Sequence, residues 1–153
     1  MPFLELRLPP VAQVLAAAVL MWLLARAFPN GPFVFPPPYA LAGALVGLGG
    51  AIAVAGVVAF RRARTTVNPM TPGASSAVVS TGIYGLTRNP MYLGFLLALL
   101  GWAMALGHGL ALLPVAGFVA WMTRFQIVPE ERALREKFGE GYEDYLRRVR
   151  RWI

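Results

Sequence analysis

Apolar residues run through this chain in blocks too long for a soluble protein. No charged side chain occurs in residues 8–25, 27–60 or 89–123. Each block is at least as long as the roughly 17–25 residues that a membrane helix needs, and the last is long enough for most of two with a tight turn between them. Inside lipid every backbone polar group must find an internal partner, so such runs are read as helices. The pattern predicts four spans: Pro10 to Phe28, Tyr39 to Phe60, one starting at Pro90 and one ending near Val128. Gly107-His108-Gly109 supplies the turn between the last two, and Pro114 is placed to kink the fourth. Pro29 to Pro38 is a proline-rich, uncharged, non-helical connection. Gly43, Gly47, Gly50 and Ala51 recur at helical spacing and would let the second span approach a neighbour closely. Gly47-Leu48-Gly49-Gly50 has no strand before it, so it is not read as a nucleotide loop.

Two polar stretches interrupt this pattern. Residues 65–88 are turn-rich, with Asn68-Pro69, Thr71-Pro72-Gly73 and Ser75-Ser76. Residues 130–152 predict a surface helix, broken at Gly139 or Gly141. Its first turn carries Glu130 and Glu131 and its end carries Arg147, Arg148, Arg150 and Arg151, an order that complements the helix dipole. Leu134, Phe138, Tyr142, Tyr145, Leu146 and Val149 form one apolar stripe, which would lie on the bilayer or cap the bundle. The expected fold class is therefore all-α and integral to the membrane, with about four transmembrane helices plus a C-terminal amphipathic cytoplasmic helix. Residues 1–153 form one domain, residues 1–64 holding two N-terminal spans and residues 65–153 the chemistry.

Composition sharpens this. Hydrophobic residues make up 58% of the chain and charged residues 14%. The net charge of +7 comes from basic residues beside the spans, which points to a membrane surface and away from nucleic acid. Arg61, Arg62, Arg64, Arg88 and the basic tail fall on one side, so the positive-inside rule puts both termini and the 61–89 loop in the cytoplasm. Residues 11–28 are read as a retained span rather than a cleaved leader. With no Cys and one His, there is no thiolate chemistry and no metal-ligand set. His108, in a far-side turn, is read as structural. Arg148 is read as a lipid-phosphate contact, and Trp152 as an interface anchor.

The chemistry concentrates in Arg88-Asn89-Pro90-x-Tyr92 and Glu130-Glu131. As plain structure, Asn89 is an N-cap, Pro90 the first helical residue, and the two acids a helix start. As a site, the amides of that helix start would meet a polar ligand together with Asn89 and Tyr92. An acid would hold a ligand ammonium, or a ribose through its hydroxyls. A hairpin of spans three and four brings Arg88 and Glu130 to the same membrane face.

The motif Gly82-x-Tyr84-x-x-x-Arg88-Asn89-Pro90-x-Tyr92-x-Gly94, followed by Glu130-Glu131-x-x-Leu134-x-x-x-Phe138-Gly139-x-x-Tyr142-x-x-Tyr145, resembles the isoprenylcysteine carboxyl methyltransferase and phospholipid methyltransferase superfamily. The resemblance covers about residues 65–152. It implies an integral membrane enzyme that uses S-adenosylmethionine, with Val78, Val79, Tyr84, Asn89, Pro90, Tyr92 and Glu130 as cofactor contacts. It further implies a lipophilic small-molecule or lipid acceptor, methylated by in-line displacement on a carboxylate, amine or thiol. Arg88, Gln126 and Glu131 are the residues expected to act on the acceptor, and Glu131 or Tyr92 are the nearby bases for an amine. Two departures stand out. Asn89 replaces a family His, and Gln126 replaces a family Arg that pairs with the substrate carboxylate. Arg124 would point to another face of a regular helix. The alternative to an enzyme is a membrane module that keeps the fold but has lost acceptor binding. A transporter predicts ionisable residues within the spans, and residues 89–123 have none.

Overall fold

A computed structural model describes residues 4–31, 33–64 and 70–153. The expected Asn68-Pro69 turn, and Pro32 of the proline-rich connection, lie outside those residues. The architecture is all-helical: α1 (Pro10–Ala27), α2 (Tyr39–Arg62), α3 (Pro90–Leu106), α4 (Leu112–Trp121), α5 (Val128–Phe138) and α6 (Glu140–Arg148). Helix α4 passes into α5 through a π-helical turn, Met122–Ile127. Short 3₁₀ turns at Pro72–Ala74 and Gly82–Gly85 punctuate the α2–α3 connection.

Among the described residues, three helices are long and apolar enough to cross a membrane: α1, α2 and the continuous helix Gly109–Phe138. The expected third span, α3, is shorter at 17 residues, about 25 Å at the helical rise. It lies along α2 in the most extensive helix pairing described. Apolar side chains of α1 and α2, among them Leu15, Val19, Trp22, Leu48 and Val54, are exposed, as a lipid-facing surface requires. The core is built from Met21 of α1, Tyr92, Leu99 and Ala103 of α3, and Ala111, Val115, Phe118, Met122 and Ile127 of the last long helix.

The close face of α2 is not the one expected. Gly43, Gly47 and Gly50 face open space, whereas a Cβ on Gly49 would sit 2.5 Å from the Gly94 carbonyl oxygen of α3. The buried positions of α2 are Ala42, Gly49 and Gly56. Small residues occur on both sides of this helix, and each step along the chain turns by about 100°, so spacing alone did not choose the face. Interhelical approach at Gly49 and Gly94 is backbone to backbone, which only glycine permits. Gly49→Ala should part the helices and lower stability by about 1–3 kcal/mol, whereas Gly50→Ala should be nearly silent. Thermal unfolding of the two variants in detergent checks the contrast.

At the end of α3 opposite Asn89, the two connecting loops are tied together. Phe35 donates its N–H to the Gly107 carbonyl (2.9 Å) and Gly109 to that of Phe33 (3.0 Å). His108 is buried. Its Nδ1 accepts from the Leu110 amide at 3.2 Å and its Nε2 lies 2.9 Å from the Phe28 carbonyl oxygen. That is the structural role its position suggested.

Two further expectations are revised and a third holds. Pro114 falls in the first turn of α4, where a missing N–H leaves no interior hydrogen bond broken, and the helix is perturbed eight residues later by the π turn instead. Glu130 and Glu131 do not open a new helix. They lie inside the continuous helix, so no free helix N-terminus stabilises them. The break does come at Gly139, whose φ of +53° suits a residue without a Cβ. After it, α6 folds back so that Tyr142 and Tyr145 are buried, capping the bundle.

Candidate functional site

Four stretches meet at the end of the bundle that carries Arg88. The α2 terminus brings Phe60. The 70–89 connection brings Pro72, Ser75, Ala77, Val78, Val79, Tyr84, Arg88 and Asn89. The start of α3 adds Met91 and Tyr92, and α5 and α6 add Glu130, Glu131, Leu134, Tyr142 and Tyr145. Together with Ile127 they line one cavity. Its volume is about 90 Å³, smaller than the roughly 300 Å³ at the low end of small-molecule pockets.

Glu130 is the polar centre of this cavity. The Tyr92 hydroxyl donates to its Oε1 at 2.5 Å, and Gln126 Nε2 donates to the same oxygen at 2.6 Å. Both bonds use Oε1 and neither uses Oε2. Gln126 is fully buried and stands behind Glu130 rather than in the cavity wall. Gln126, four residues before Glu130, faces it along the helix, while Arg124 turns to the other side, where its Nη1 meets Glu5 at 3.0 Å. Glu5 also meets Arg132 at 3.2 Å, and the Leu6 amide donates to the Phe125 carbonyl at 3.1 Å. The N-terminal segment thus satisfies a carbonyl of the widened turn.

Glu131 points into a different environment. Its carboxylate takes a two-pronged contact from Arg151, Nε to Oε1 at 3.0 Å and Nη2 to Oε2 at 2.8 Å. Arg88 Nη1 lies 3.3 Å from Oε1. This bonding holds the Arg151 guanidinium firmly in its charged form, its pKa raised chiefly by the hydrogen bond to Glu131. The Nε of Arg88 is buried and has no hydrogen-bond partner among the described residues.

The signature turn is fastened by the tail. Arg88 N–H donates to the Arg150 carbonyl at 3.0 Å. Asn89 Nδ2 donates to the Arg151 carbonyl at 2.8 Å. Asn89 therefore occupies the N-cap position and Pro90 the first helical position, as expected, but the Asn89 side chain makes no capping bond. Trp152 donates to Thr123 Oγ1 at 3.3 Å and packs on the core, so it anchors the tail to the bundle. Arg148 Nε bonds to the Asp144 carbonyl of its own helix at 3.3 Å.

The aromatic wall is rigid and neutral. Phe60 meets Tyr84 edge to face, centroids 5.2 Å apart, and the Tyr145 hydroxyl donates to the Tyr84 carbonyl at 2.8 Å. Burial pushes the phenols of Tyr84, Tyr142 and Tyr145 upward, so all three stay protonated.

Of the residues singled out in the sequence, Val78, Val79, Tyr84, Arg88, Asn89, Tyr92, Glu130 and Glu131 line the cavity; Pro90 and Gln126 are buried and not part of its lining. Phe60, Ser75 and Arg151 were not anticipated. Phe60 sits in an apolar run like any lipid-facing residue, and Arg151 sits in a cluster of arginines with no spacing that marks it.

The phospholipid methyltransferase family model matches residues 38–141, and the chain belongs to that family of membrane methyltransferases. An uncharacterized protein of Haemophilus influenzae is 48% identical over 63 residues, which span 41% of this chain and 100% of that protein. The protein-S-isoprenylcysteine O-methyltransferase of Schizosaccharomyces pombe is 38% identical over 73 residues, 47% of this chain and 30% of that enzyme. Methanethiol S-methyltransferase 2 of Bradyrhizobium diazoefficiens is 41% identical over 70 residues, 44% of this chain and 25% of that enzyme. The similarity thus spans under a third of each named enzyme. No solved structure matches the chain.

Proposed function

We propose that the cavity binds S-adenosylmethionine at the cytoplasmic face of the membrane and that its methyl group passes to a lipophilic acceptor reaching the site from the bilayer. The observation that carries this is an acid and a guanidinium in one wall: the Glu130 carboxyl group, with Oε2 outside its two hydrogen bonds, and the buried, unpartnered Arg88 Nε. A zwitterionic amino-acid group fits that pair, ammonium on Glu130 and carboxylate on Arg88. Tyr84, Phe60 and Val79 offer an apolar and aromatic surface for a nucleoside, and Asn89 and Tyr92 border the polar end. The sulfonium, when bound, supplies an activated methyl group.

What the chain contributes is then binding, orientation and exclusion of water. Tyr92 and Gln126 fix the rotamer of Glu130. Tyr92 already donates to Glu130, and Glu131 is engaged by two guanidiniums, so neither is disposed as a base. That favours an acceptor able to arrive as an anion. A thiolate that has lost its proton to water before entering suits the site better than a carboxylate, because Gln126 leaves no cation at the position where the resembled enzymes pair a substrate carboxylate. Arg61, Arg62, Arg64 and Arg88 at this end of the spans support the cytoplasmic orientation, and α3 beside α2 supplies a fourth membrane helix.

Calorimetric titration of the detergent-purified protein with S-adenosylhomocysteine tests the reading. Micromolar binding is expected, and none in a folded, monodisperse sample would overturn it. Labelled methyl transfer should then be faster to a long-chain alkanethiol than to a prenylated cysteine carboxylate.

A further inference from the structure

The C-terminal tail lies outside the region that the family model matches, residues 38–141, yet it closes the polar side of the site. Its carbonyls at Arg150 and Arg151 receive the Arg88 amide and the Asn89 side chain. Its indole at Trp152 is tied to Thr123. These contacts fix where the Arg151 guanidinium stands. From there it engages both oxygens of Glu131, at 3.0 and 2.8 Å.

The consequence falls on Arg88. Glu131 is nearly inaccessible to solvent and sits between two guanidiniums. A carboxylate prefers a two-pronged partner, and Arg151 fills that role. Arg88 keeps a single contact of 3.3 Å through Nη1, and its Nε stays unpartnered. Without Arg151, Glu131 has one cation within reach, and the same preference draws Arg88 into the two-pronged geometry. That would turn Arg88 away from a ligand.

We infer that Arg151 is a positioning residue that occupies Glu131 and so keeps the Arg88 guanidinium free for the anionic end of the bound ligand. The inference rests on the binding site proposed above. It goes beyond that site in giving a specific task to a residue of the tail.

A double-mutant cycle on S-adenosylhomocysteine affinity tests it, using the full-length protein in detergent. Arg151→Ala should weaken binding about tenfold or more, with Arg151→Lys recovering part of the loss. In a Glu131→Gln background, whose neutral amide cannot capture Arg88, adding Arg151→Ala should change the affinity less than twofold. Equal losses in both backgrounds would mean that the tail merely supports the fold, and no loss in either would mean that it does not matter to the site. Both results overturn the inference. A wild type that binds nothing overturns the site itself, which is a separate result. Should Arg151→Ala not purify as a monodisperse species, Arg151→Gln is read by the same rule.

Discussion

Glu130→Gln is expected to lower S-adenosylhomocysteine affinity at least 100-fold while leaving the thermal unfolding of the protein nearly unchanged. The substitution keeps the shape of the side chain. A glutamine carbonyl oxygen still accepts from the Tyr92 hydroxyl and from Gln126 Nε2, the two groups now held at 2.5 and 2.6 Å. No buried donor is orphaned, so the packing has no reason to change. What disappears is the negative charge, and with it the counter-charge for a ligand ammonium. Truncating one partner of a desolvated charge pair typically costs about 2–5 kcal/mol, and 100-fold in affinity corresponds to about 2.7 kcal/mol. Titration calorimetry beside a melting curve separates the two effects. An affinity within a fewfold of wild type would remove Glu130 from the ligand site, and a large fall in Tm would recast it as a structural acid.

The sequence carried the membrane character of this chain because charge-free runs obey the thickness of the bilayer, a constraint with little ambiguity. It carried α1, α2 and the Gly139 break almost to the residue. Face selection was harder. Gly43, Gly47 and Gly50 looked like the close-packing stripe of α2, but Gly49 and Gly56 hold that role, since glycines lie on both sides and only the partner helix distinguishes them. No residue in the sequence marked the π turn at Met122–Ile127, where the distant Leu6 amide meets the Phe125 carbonyl. The fourth span and the acidic pair form one helix, where a helix start had been expected at Glu130. Glu130, Tyr92 and Arg88 were legible as a group from their motif. Arg151 was not, because it is one of four arginines within residues 147–151 and its role comes from where the tail docks.

The neighbouring acid should respond in the opposite way. Glu131→Ala is expected to cost about 3 kcal/mol of stability, seen as a fall in Tm of roughly 6–12 °C. Glu131 is nearly sealed from solvent, with side-chain exposure of 4%, and Arg88 is 12% exposed. Removing the carboxylate leaves two guanidiniums facing each other without a counter-ion, one of them buried. Uncompensated buried charge is far costlier than the net worth of an intact pair. Arg151 is the more exposed partner at 35% and turns toward solvent more readily, so the low end of the usual 3–5 kcal/mol range applies. The signature turn should loosen at the same time, because Arg88 N–H and Asn89 are bonded to the tail that Arg151 anchors. Two adjacent glutamates thus divide the work by geometry alone. Glu130, held by a phenol and an amide, faces the cavity, while Glu131, held by two arginines, ties the 87–89 turn to the tail. If Glu131→Ala melted like wild type, the ion cluster would be an ornament of the surface and that division of roles would fail.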